Sequence, residues 1–202
     1  LLIVEIGPNA VFNGYTDKEA SEKKILRDVF KVGDAWFNTG DLIKTVDVGF
    51  AFGKEHYQFV DRVGDTFRWR SENVSTNEVG EILNGYKDVN MANVYGVKVP
   101  GCEGRAGMAA FSLEDFEGFN WLEFSEYVEN NLPKYARPIF IRIIQEMDST
   151  GTFKLKKNEL RDDAFNINKV EDKVFCLKPS SNIYERLDGN WLDKINSEEA
   201  GY

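Results

Sequence analysis

The chain has 202 residues and carries 25 Lys and Arg against 34 Asp and Glu, a formal net charge of −9. This excess of negative charge argues against nucleic acid or an anionic membrane as the main partner, since both are themselves negatively charged. An anionic substrate would need local basic residues, and the length is enough for one full domain and part of another.

Several kinds of segment and site are also disfavoured. No apolar run approaches the roughly 20 residues of a membrane span, because Glu5 interrupts the apolar start of the chain. Cys102 and Cys176 lie in unlike settings, a Gly-Pro loop and an apolar strand, so neither a disulfide framework nor a zinc site is predicted. His56 is the only histidine, which disfavours a histidine metal cluster or a Ser-His-Asp triad. We therefore expect a soluble chain on the cytoplasmic face, without a metal site of its own.

The first third of the chain predicts a β-rich unit with one helix. Residues 1–6 have the pattern of a strand that is ended by a Gly-Pro turn. The apolar spacing over residues 18–31 predicts an amphipathic packing helix, with Asp17 as its N-cap. Residues 46–60 predict a hairpin that turns at Gly53 and Lys54.

Residues 59–78 connect this unit to the next. Asp61, Arg62 and Asp65 crowd charges around Gly64, where a hinge could absorb large changes in backbone torsion. Beyond this stretch the chain alternates short helices and strands, the pattern of a compact α+β domain. We therefore predict two units, residues 1–61 and 62–202, with Asp65 as the hinge residue.

The second unit is predicted to contain a small central sheet flanked by helices. The sequence Ser-Thr-Asn-Glu from Ser75 to Glu78 is a capping box that begins a helix through Tyr86. Asn120 is the predicted cap of a helix that ends at Asn131. The remaining predicted elements are strands at residues 89–99, 107–113, 139–144 and 173–177 and helices at residues 155–162 and 191–195.

Two stretches have side chains suited to a nucleotide. Asp41 follows the Gly40 turn, so its carboxylate can accept hydrogen bonds from both hydroxyls of a ribose. Taken alone, however, the Thr-Gly-Asp triplet favours an ordinary Asp turn. Arg105 lies in a loop with two glycines that suits the phosphates of CoA. A pairing of Arg105 with Glu103 or with a distant acid explains it equally well.

Six motifs follow one another along most of the chain. They are WFNTGDL at residues 36–42, DRVGDTFRW at 61–69, SENVST at 71–76, EGRAG at 103–107, LPKYARP at 132–138 and TGTFK at 150–154. In this order and spacing they resemble the adenylate-forming enzymes, specifically the branch of very-long-chain acyl-CoA synthetases and fatty-acid transport proteins. Many relatives have glycine where Ser71 stands, and the Ser71 side chain would hinder a close approach of the backbone to a ligand there.

This resemblance implies an ATP-dependent, AMP-forming acyl-CoA synthetase. Such an enzyme uses Mg²⁺ and ATP to activate a fatty acid to acyl-AMP and then transfers the acyl group to CoA, with rotation of a C-terminal lid domain between the steps. Residues 1–61 would then end the large AMP-binding domain, and residues 62–202 would form the lid. The chain would be a fragment, inactive alone, whose partner is the remainder of its own N-terminal domain.

The same resemblance assigns roles to single residues. It makes Lys154 the catalytic lysine of adenylation, although Lys154, Lys156 and Lys157 taken alone predict a solvated basic face. The other implied roles are nucleotide binding by Thr39, Asp41 and Arg62, the hinge at Asp65, and the CoA or pantetheine side at Ser71, Glu72, Asn73 and Arg105.

A competing interpretation is a non-catalytic module for fatty-acid transport or binding, in keeping with the transport role attributed to this branch. The absence of a membrane span from the sequence and the presence of both Asp41 and Lys154 favour the enzyme. Any peripheral association of the parent with a membrane would reside in parts outside this chain. No chemistry is assigned to residues 163–202.

Overall fold

The computed structural model describes residues 1–50, 53–144 and 157–202 of the chain. They divide into two units, Leu1–Gly64 and Asp65–Tyr202. The buried hydrophobic residues of the described chain begin at Phe67 and all belong to the second unit. None of the helices in these ranges is long and apolar enough to cross a membrane. The apolar residues of the first unit are therefore at most partly buried, whereas the second unit contains the core.

The first unit is built from two small antiparallel sheets. Its elements are β1 (Ile3–Glu5), α1 (Lys18–Glu22), β2 (Ile25–Arg27), β3 (Ala35–Asn38), β4 (Asp41–Val46) and β5 (His56–Arg62). β3 lies between β1 and β2 in one sheet, while β4 and β5 form a separate hairpin. Phe37 of the central strand packs on Phe12, with ring centres 4.6 Å apart. The strand predicted at residues 1–6 is confirmed in a shorter form.

The helix predicted over residues 18–31 is wrong beyond Glu22. Its N-cap is confirmed, because the Asp17 carboxylate accepts hydrogen bonds from two backbone amides of the first turn. The chain then enters β2, where Ile25 is the register partner of Phe37. A short helix gains little from intrinsic propensity, so pairing of β2 with β3 decides the conformation.

The second half of that predicted helix is instead a loop, residues 28–34, closed by its own two aspartates. The buried Asp34 carboxylate accepts hydrogen bonds from three successive backbone amides at 2.7 to 3.0 Å. Asp28 Oδ1 accepts another from the Gly33 amide at 2.6 Å. Burial acts to raise the pKa of Asp34, but the hydrogen bonds outweigh it and lower this pKa to about 2.

The hairpin predicted at residues 46–60 exists with different bounds. Asp41 begins its first strand, and the connection spans residues 47–55, longer than the predicted turn at Gly53 and Lys54. Residues 51 and 52 lie outside the described residues. The Asp47 side chain accepts a hydrogen bond from the Gly49 amide at 2.8 Å. This contact forms a turn directly after β4, so the loop begins before the predicted turn.

The second unit is organised around a five-stranded sheet. Its elements are β6 (Phe67–Trp69), β7 (Glu72–Val74), α2 (Thr76–Asn84), β8 (Val89–Val97), β9 (Ala106–Leu113), α3 (Trp121–Asn131), β10 (Phe140–Ile143), α4 (Lys157–Asp163), β11 (Lys173–Leu177), β12 (Tyr184–Arg186) and α5 (Gly189–Asn196). The sheet order is β12-β11-β10-β9-β8, and β9 and β10 are its parallel pair. β6 and β7 form a small hairpin of their own.

Aromatic residues cover both faces of the sheet. On one face Phe111 of β9 contacts Phe124 of α3, with ring centres 5.4 Å apart. Successive residues of a strand point to opposite faces, and the register places Phe140 of β10 on the other face. There it stacks on Phe165, just beyond α4, at 4.1 Å. The predicted α+β fold, a small sheet flanked by helices, is confirmed.

Local capping signals fix the helix starts. Ser75 Oγ accepts a hydrogen bond from the Glu78 amide at 3.2 Å, and Asn120 Oδ1 accepts one from the Glu123 amide at 3.1 Å. Both predicted N-caps are confirmed. α2 ends at Asn84, earlier than predicted, and the short strand β12 has no counterpart among the predicted elements.

Candidate functional site

Two of the residues predicted to bind a nucleotide, Thr39 and Asp41, lie at a tight turn between β3 and β4. Gly40 has a φ of +82°, a conformation that other residues rarely adopt. Thr39 Oγ1 accepts a hydrogen bond from the Asp41 amide at 3.0 Å and donates one to the Leu2 carbonyl at 2.8 Å. Asn38 Oδ1 accepts a further one from the Gly40 amide at 2.9 Å. These bonds fix the backbone that carries the Asp41 carboxylate.

Asp41 and Arg62 are register partners across the β4–β5 hairpin. Arg62 Nε donates a hydrogen bond to Asp41 Oδ1 at 3.0 Å. The Asp41 side chain is 26% exposed and that of Arg62 50% exposed, so a ligand can reach the pair. A carboxylate offers about four acceptor positions, which leaves Asp41 able to accept from a sugar diol. The predicted proximity of Asp41 and Arg62 is confirmed, while the nucleotide-binding roles of Thr39, Asp41 and Arg62 stay predictions.

A cation at the same turn was missed by the sequence analysis. Lys24 Nζ lies 3.5 Å from the Thr39 carbonyl oxygen, whereas the sequence pattern places Lys24 inside the predicted helix and gives it no role. The Asn38 amide donates to the Lys24 carbonyl at 2.8 Å, so the pairing of β2 with β3 sets this position. Only a correct assignment of β2 would have revealed it. Lys24 adds positive charge near the Asp41–Arg62 pair, which suits an anionic ligand.

The residues predicted for the CoA side lie on the β6–β7 hairpin and on the loop beside it. Ser71, Glu72 and Asn73 are exposed at and after the hairpin turn. The Arg105 amide donates a hydrogen bond to the Arg68 carbonyl at 2.7 Å, which brings Arg105 next to the hairpin. Within residues 1–50, 53–144 and 157–202, no acid forms a salt bridge with Arg105. The structure thus gathers these four residues, and their role in binding CoA stays a prediction.

Glycines allow the hairpin to lie close against the sheet. A Cβ at Gly96 would lie 2.6 Å from Phe67 Cβ, and one at Gly107 would lie 3.2 Å from Phe67 Cζ. A Cβ at Gly104, where φ is +85°, would overlap the carbonyl oxygen of Arg68. Side chains at these positions would push β6 away from β8 and β9. The position of the hairpin therefore depends on residues without side chains.

A half-buried ion cluster surrounds Asp65, the predicted hinge residue. Asp65 Oδ2 accepts a hydrogen bond from Lys157 Nζ at 3.2 Å, and Asp65 Oδ1 accepts one from Arg161 Nη2 at 2.9 Å. Lys157 Nζ also donates to Thr76 Oγ1, at the start of α2, at 3.3 Å. Burial acts to raise the pKa of Asp65, but the charges and hydrogen bonds of Lys157 and Arg161 outweigh it, so this pKa lies below its ordinary value.

The cluster corrects one expectation about the lysines. Lys157 belongs to no solvated basic face, because its side chain is only 29% exposed and is paired with Asp65. Lys154 and Lys156 lie outside the described residues, so the catalytic role of Lys154 stays a prediction. In the part of the chain that the structure describes, no three His, Cys, Asp or Glu side chains are grouped so that they could hold a metal ion.

Comparison with known protein families identifies one matching domain. Residues 78–154 match the model of the AMP-binding enzyme C-terminal domain. The matched range begins in α2 and ends at Lys154, so it includes the central strands of the sheet, the loop of Arg105 and the predicted catalytic lysine.

Similar proteins cover nearly the whole chain. It is 40% identical to long-chain fatty acid transport protein 6 of Mus musculus over 201 residues, which is 99% of this chain and 32% of that protein. It is 42% identical to the medium/long-chain-fatty-acid–CoA ligase FadD6 of Mycobacterium tuberculosis, over 88% of this chain and 28% of that ligase. The O-succinylbenzoate coenzyme A synthetase of Bacillus subtilis, solved in complex with AMP, superposes with a TM-score of 0.59 at 26% identity, over 79% of this chain and 29% of that one. The chain spans about a third of the length of the curated relatives it matches.

Proposed function

Because this chain belongs to the adenylate-forming enzymes, in the branch of fatty acid transport proteins and fatty acid–CoA ligases, we propose that its parent joins a long-chain fatty acid to CoA. In the first step a fatty acid carboxylate attacks the α-phosphorus of ATP, which forms acyl-AMP and releases pyrophosphate. In the second step the CoA thiol attacks the acyl carbon, and AMP leaves. This chain supplies the C-terminal part of that enzyme.

The observation that carries the proposal is the Asp41–Arg62 pair at the Thr-Gly-Asp turn. The turn holds the backbone of Asp41, and Arg62 holds one carboxylate oxygen at 3.0 Å. The remaining acceptor positions suit the two hydroxyls of a ribose, and the Arg62 guanidinium suits an anionic nucleotide. We assign the ribose side of the ATP site to Asp41, Arg62 and Thr39.

Charge is the physical difficulty of the first step, since a carboxylate must approach a polyphosphate. A positioned ammonium group stabilises the negative charge that develops on the phosphoryl oxygens. We assign this role to Lys154. Mg²⁺ would accompany ATP as its usual counter-ion and is ascribed to the nucleotide rather than to a site on this chain.

The second step would use the β6–β7 hairpin. Ser71, Glu72 and Asn73 are exposed there, and Arg105 is joined to the hairpin through the Arg68 carbonyl. Arg105 offers a planar, permanently charged group of the kind that binds phosphate. We assign these four residues to the CoA side, where the hairpin and loop would act together.

The apolar surface of the first unit supports the proposal that it packs against another part of the protein. Twelve of the fourteen exposed large hydrophobic residues of the described chain lie within Leu1–Gly64. A soluble surface rarely carries so many apolar side chains on so small a unit unless something covers them. The remainder of the large AMP-binding domain, in the two thirds of the relatives that this chain does not span, is the partner we propose.

A fatty-acid transport module that performs no chemistry is the second candidate, since the name of one relative describes transport. An assay distinguishes the ligase from the transport module: the purified full-length parent is supplied with a long-chain fatty acid, Mg-ATP and CoA. The ligase should form AMP, pyrophosphate and acyl-CoA in equal amounts, and the 202-residue chain alone should form none of them. Binding of fatty acid without formation of AMP would establish the transport module instead.

A further inference from the structure

Lys24 lies directly before β2 and beside the turn that carries Asp41. Its backbone is held in two places: the Lys24 amide donates a hydrogen bond to the Ser21 carbonyl at 3.1 Å, and the Lys24 carbonyl accepts one from the Asn38 amide at 2.8 Å. The side chain reaches across to the turn, where Nζ lies 3.5 Å from the Thr39 carbonyl oxygen. The pairing of β2 with β3 therefore brings an ammonium group to the Thr-Gly-Asp turn.

The Lys24 ammonium occupies space that is open because residue 40 is glycine. A Cβ at Gly40, where φ is +82°, would lie only 3.2 Å from Lys24 Nζ. Gly40 directly precedes Asp41, and neighbouring Cα atoms are about 3.8 Å apart. The ammonium group is thus within reach of a ligand that the Asp41 carboxylate holds.

This ammonium group has charge and donors to offer to a ligand. Within residues 1–50, 53–144 and 157–202, no carboxylate forms a salt bridge with Lys24, although Lys23 beside it pairs with Glu19 at 2.8 Å. The positive charge of Arg62 is offset by Asp41, to which Arg62 Nε donates at 3.0 Å. A lysine ammonium has three donors, and Lys24 uses one of them on a neutral carbonyl. Because the side chain is half-buried, an anion brought by a ligand would be a favourable partner for it.

We propose that Lys24 is a further nucleotide-binding residue, whose ammonium group contacts the α-phosphate of ATP, acyl-AMP and AMP. This inference rests on the proposed ligase function and adds a phosphate contact to the ribose contact of Asp41. Among the anionic groups of the reaction, the α-phosphate is the one attached directly to the ribose, so it lies nearest to a diol that Asp41 holds. Lysine binds phosphate as a point charge, so this contact can persist while pyrophosphate leaves and the acyl group is transferred.

A purely structural role for Lys24 predicts a different pattern of binding. If the ammonium group only held the Thr39 carbonyl, its loss would disturb the turn and the ribose contact with it. Adenosine and AMP would then lose affinity equally. A phosphate contact instead affects only those ligands that carry a phosphate. Adenosine and AMP differ by this one group, so their affinities distinguish the two roles.

The test uses the full-length parent and measures by calorimetry the Kd of adenosine, AMP and Mg-ATP, without fatty acid or CoA. Lys24→Met should weaken the binding of AMP and ATP by the same factor, about tenfold to a hundredfold, the scale of one hydrogen bond to a charged group. The Kd of adenosine should change less than about twofold, as expected for an independent contact, which also shows that the variant is folded. Lys24→Arg keeps the charge and should retain most of the affinity for AMP.

Lys23→Met is the matched control, because it removes a lysine charge one residue away from an exposed pair and should leave all three affinities unchanged. Asp41→Ala should weaken the binding of adenosine and AMP alike, since both contain the ribose. Equal losses of adenosine and AMP binding in Lys24→Met, no loss of either, or a loss confined to ATP would each overturn the α-phosphate contact and leave the ligase function standing. A wild type that binds none of the three ligands would overturn the proposed function together with this inference.

Discussion

Asp41 and Arg62 stand directly opposite each other on β4 and β5, with Arg62 Nε 3.0 Å from Asp41 Oδ1. The register of the hairpin creates this pair, because a slip of one residue in β5 would turn Arg62 to the face opposite Asp41. The buried carboxylate of Asp61 accepts the Arg62 amide at 2.8 Å and so supports that register. Strand pairing, rather than the sequence spacing of the two motifs, thus brings the carboxylate and the guanidinium together.

Replacement of Asp41 should weaken the binding of ATP. In the full-length parent, Asp41→Ala should raise the KM for ATP about tenfold to a hundredfold, the scale of one lost charge-assisted hydrogen bond. Steady-state kinetics with ATP as the varied substrate measures this. Asp47→Ala, in the loop of the same hairpin, is the control and should leave the KM unchanged. An unaltered KM and rate in Asp41→Ala would remove Asp41 from the nucleotide site.

Lys154 should act in adenylation and not in thioester formation. In full-length Lys154→Ala, pyrophosphate exchange should fall about a hundredfold or more, the scale of one preorganised electrostatic contact. Conversion of supplied acyl-AMP and CoA to the thioester should stay nearly normal. Lys169→Ala, at an exposed lysine beyond α4, serves as the control. Equal losses in both assays would point to a structural role for Lys154.

Ser71 sits in a backbone conformation that favours glycine, with φ of 68°. Left-handed conformations are strained for residues with a Cβ, so Ser71→Gly should stabilise the 202-residue chain by about 0.5 to 1 kcal/mol. Urea unfolding measures the change. Asn73→Gly, within β7, should instead destabilise the chain, because glycine weakens a strand interior. A loss of stability in Ser71→Gly would show that the serine side chain makes a contact more valuable than the relief of strain.

Two glycines of the second unit should respond in opposite ways to alanine. At Gly96 a Cβ would lie 2.6 Å from Phe67, so Gly96→Ala should destabilise the chain by about 1 to 3 kcal/mol. At Gly80, inside α2, the nearest atom would be 3.8 Å away on Val94. Gly80→Ala should therefore stabilise the chain by up to about 1 kcal/mol through helix propensity. Thermal unfolding of both variants tests the contrast, and equal effects would contradict the close packing of β6 on the sheet.

Asp34 should make the loop of residues 28–34 sensitive to acid. Its pKa of about 2 in the folded chain lies below the value of about 3.9 in an unfolded chain. A lowered pKa means that the carboxylate stabilises the fold fully above about pH 4 and loses that contribution as the pH falls toward 2. NMR titration of the Asp34 carboxyl measures this. A pKa at the ordinary value of about 3.9 would contradict the three amide hydrogen bonds.

The sequence was sufficient to predict a structural element wherever the signal for that element is local. Asp17, Ser75 and Asn120 mark their helices correctly because a cap acts on amides within three residues of itself. The motif order likewise identified the family, since each motif is a short continuous stretch. The predicted α+β fold of the second unit follows from these signals together with the apolar runs of β8, β9 and β10.

The incorrect predictions concern features that depend on contacts between distant segments. β2 has a sequence that fits a helix, and only its pairing with β3 makes it a strand and places Lys24 at the Thr39 turn. Lys157 looks solvated in sequence, yet Asp65 lies beside it in space. β12 has three residues, too few for a period of two to be recognised, and it forms because β11 offers it a free edge of the sheet.

The fit of Phe67 over Gly96 and Gly107 carries an implication for how such sequences diverge. A methyl group gained at Gly96 would meet Phe67 Cβ itself at 2.6 Å, so a smaller side chain at position 67 would not relieve the overlap. A lineage that gains a side chain at position 96 must therefore move the backbone of β6 as well. Among homologues, glycine at position 96 should persist whatever residue replaces Phe67.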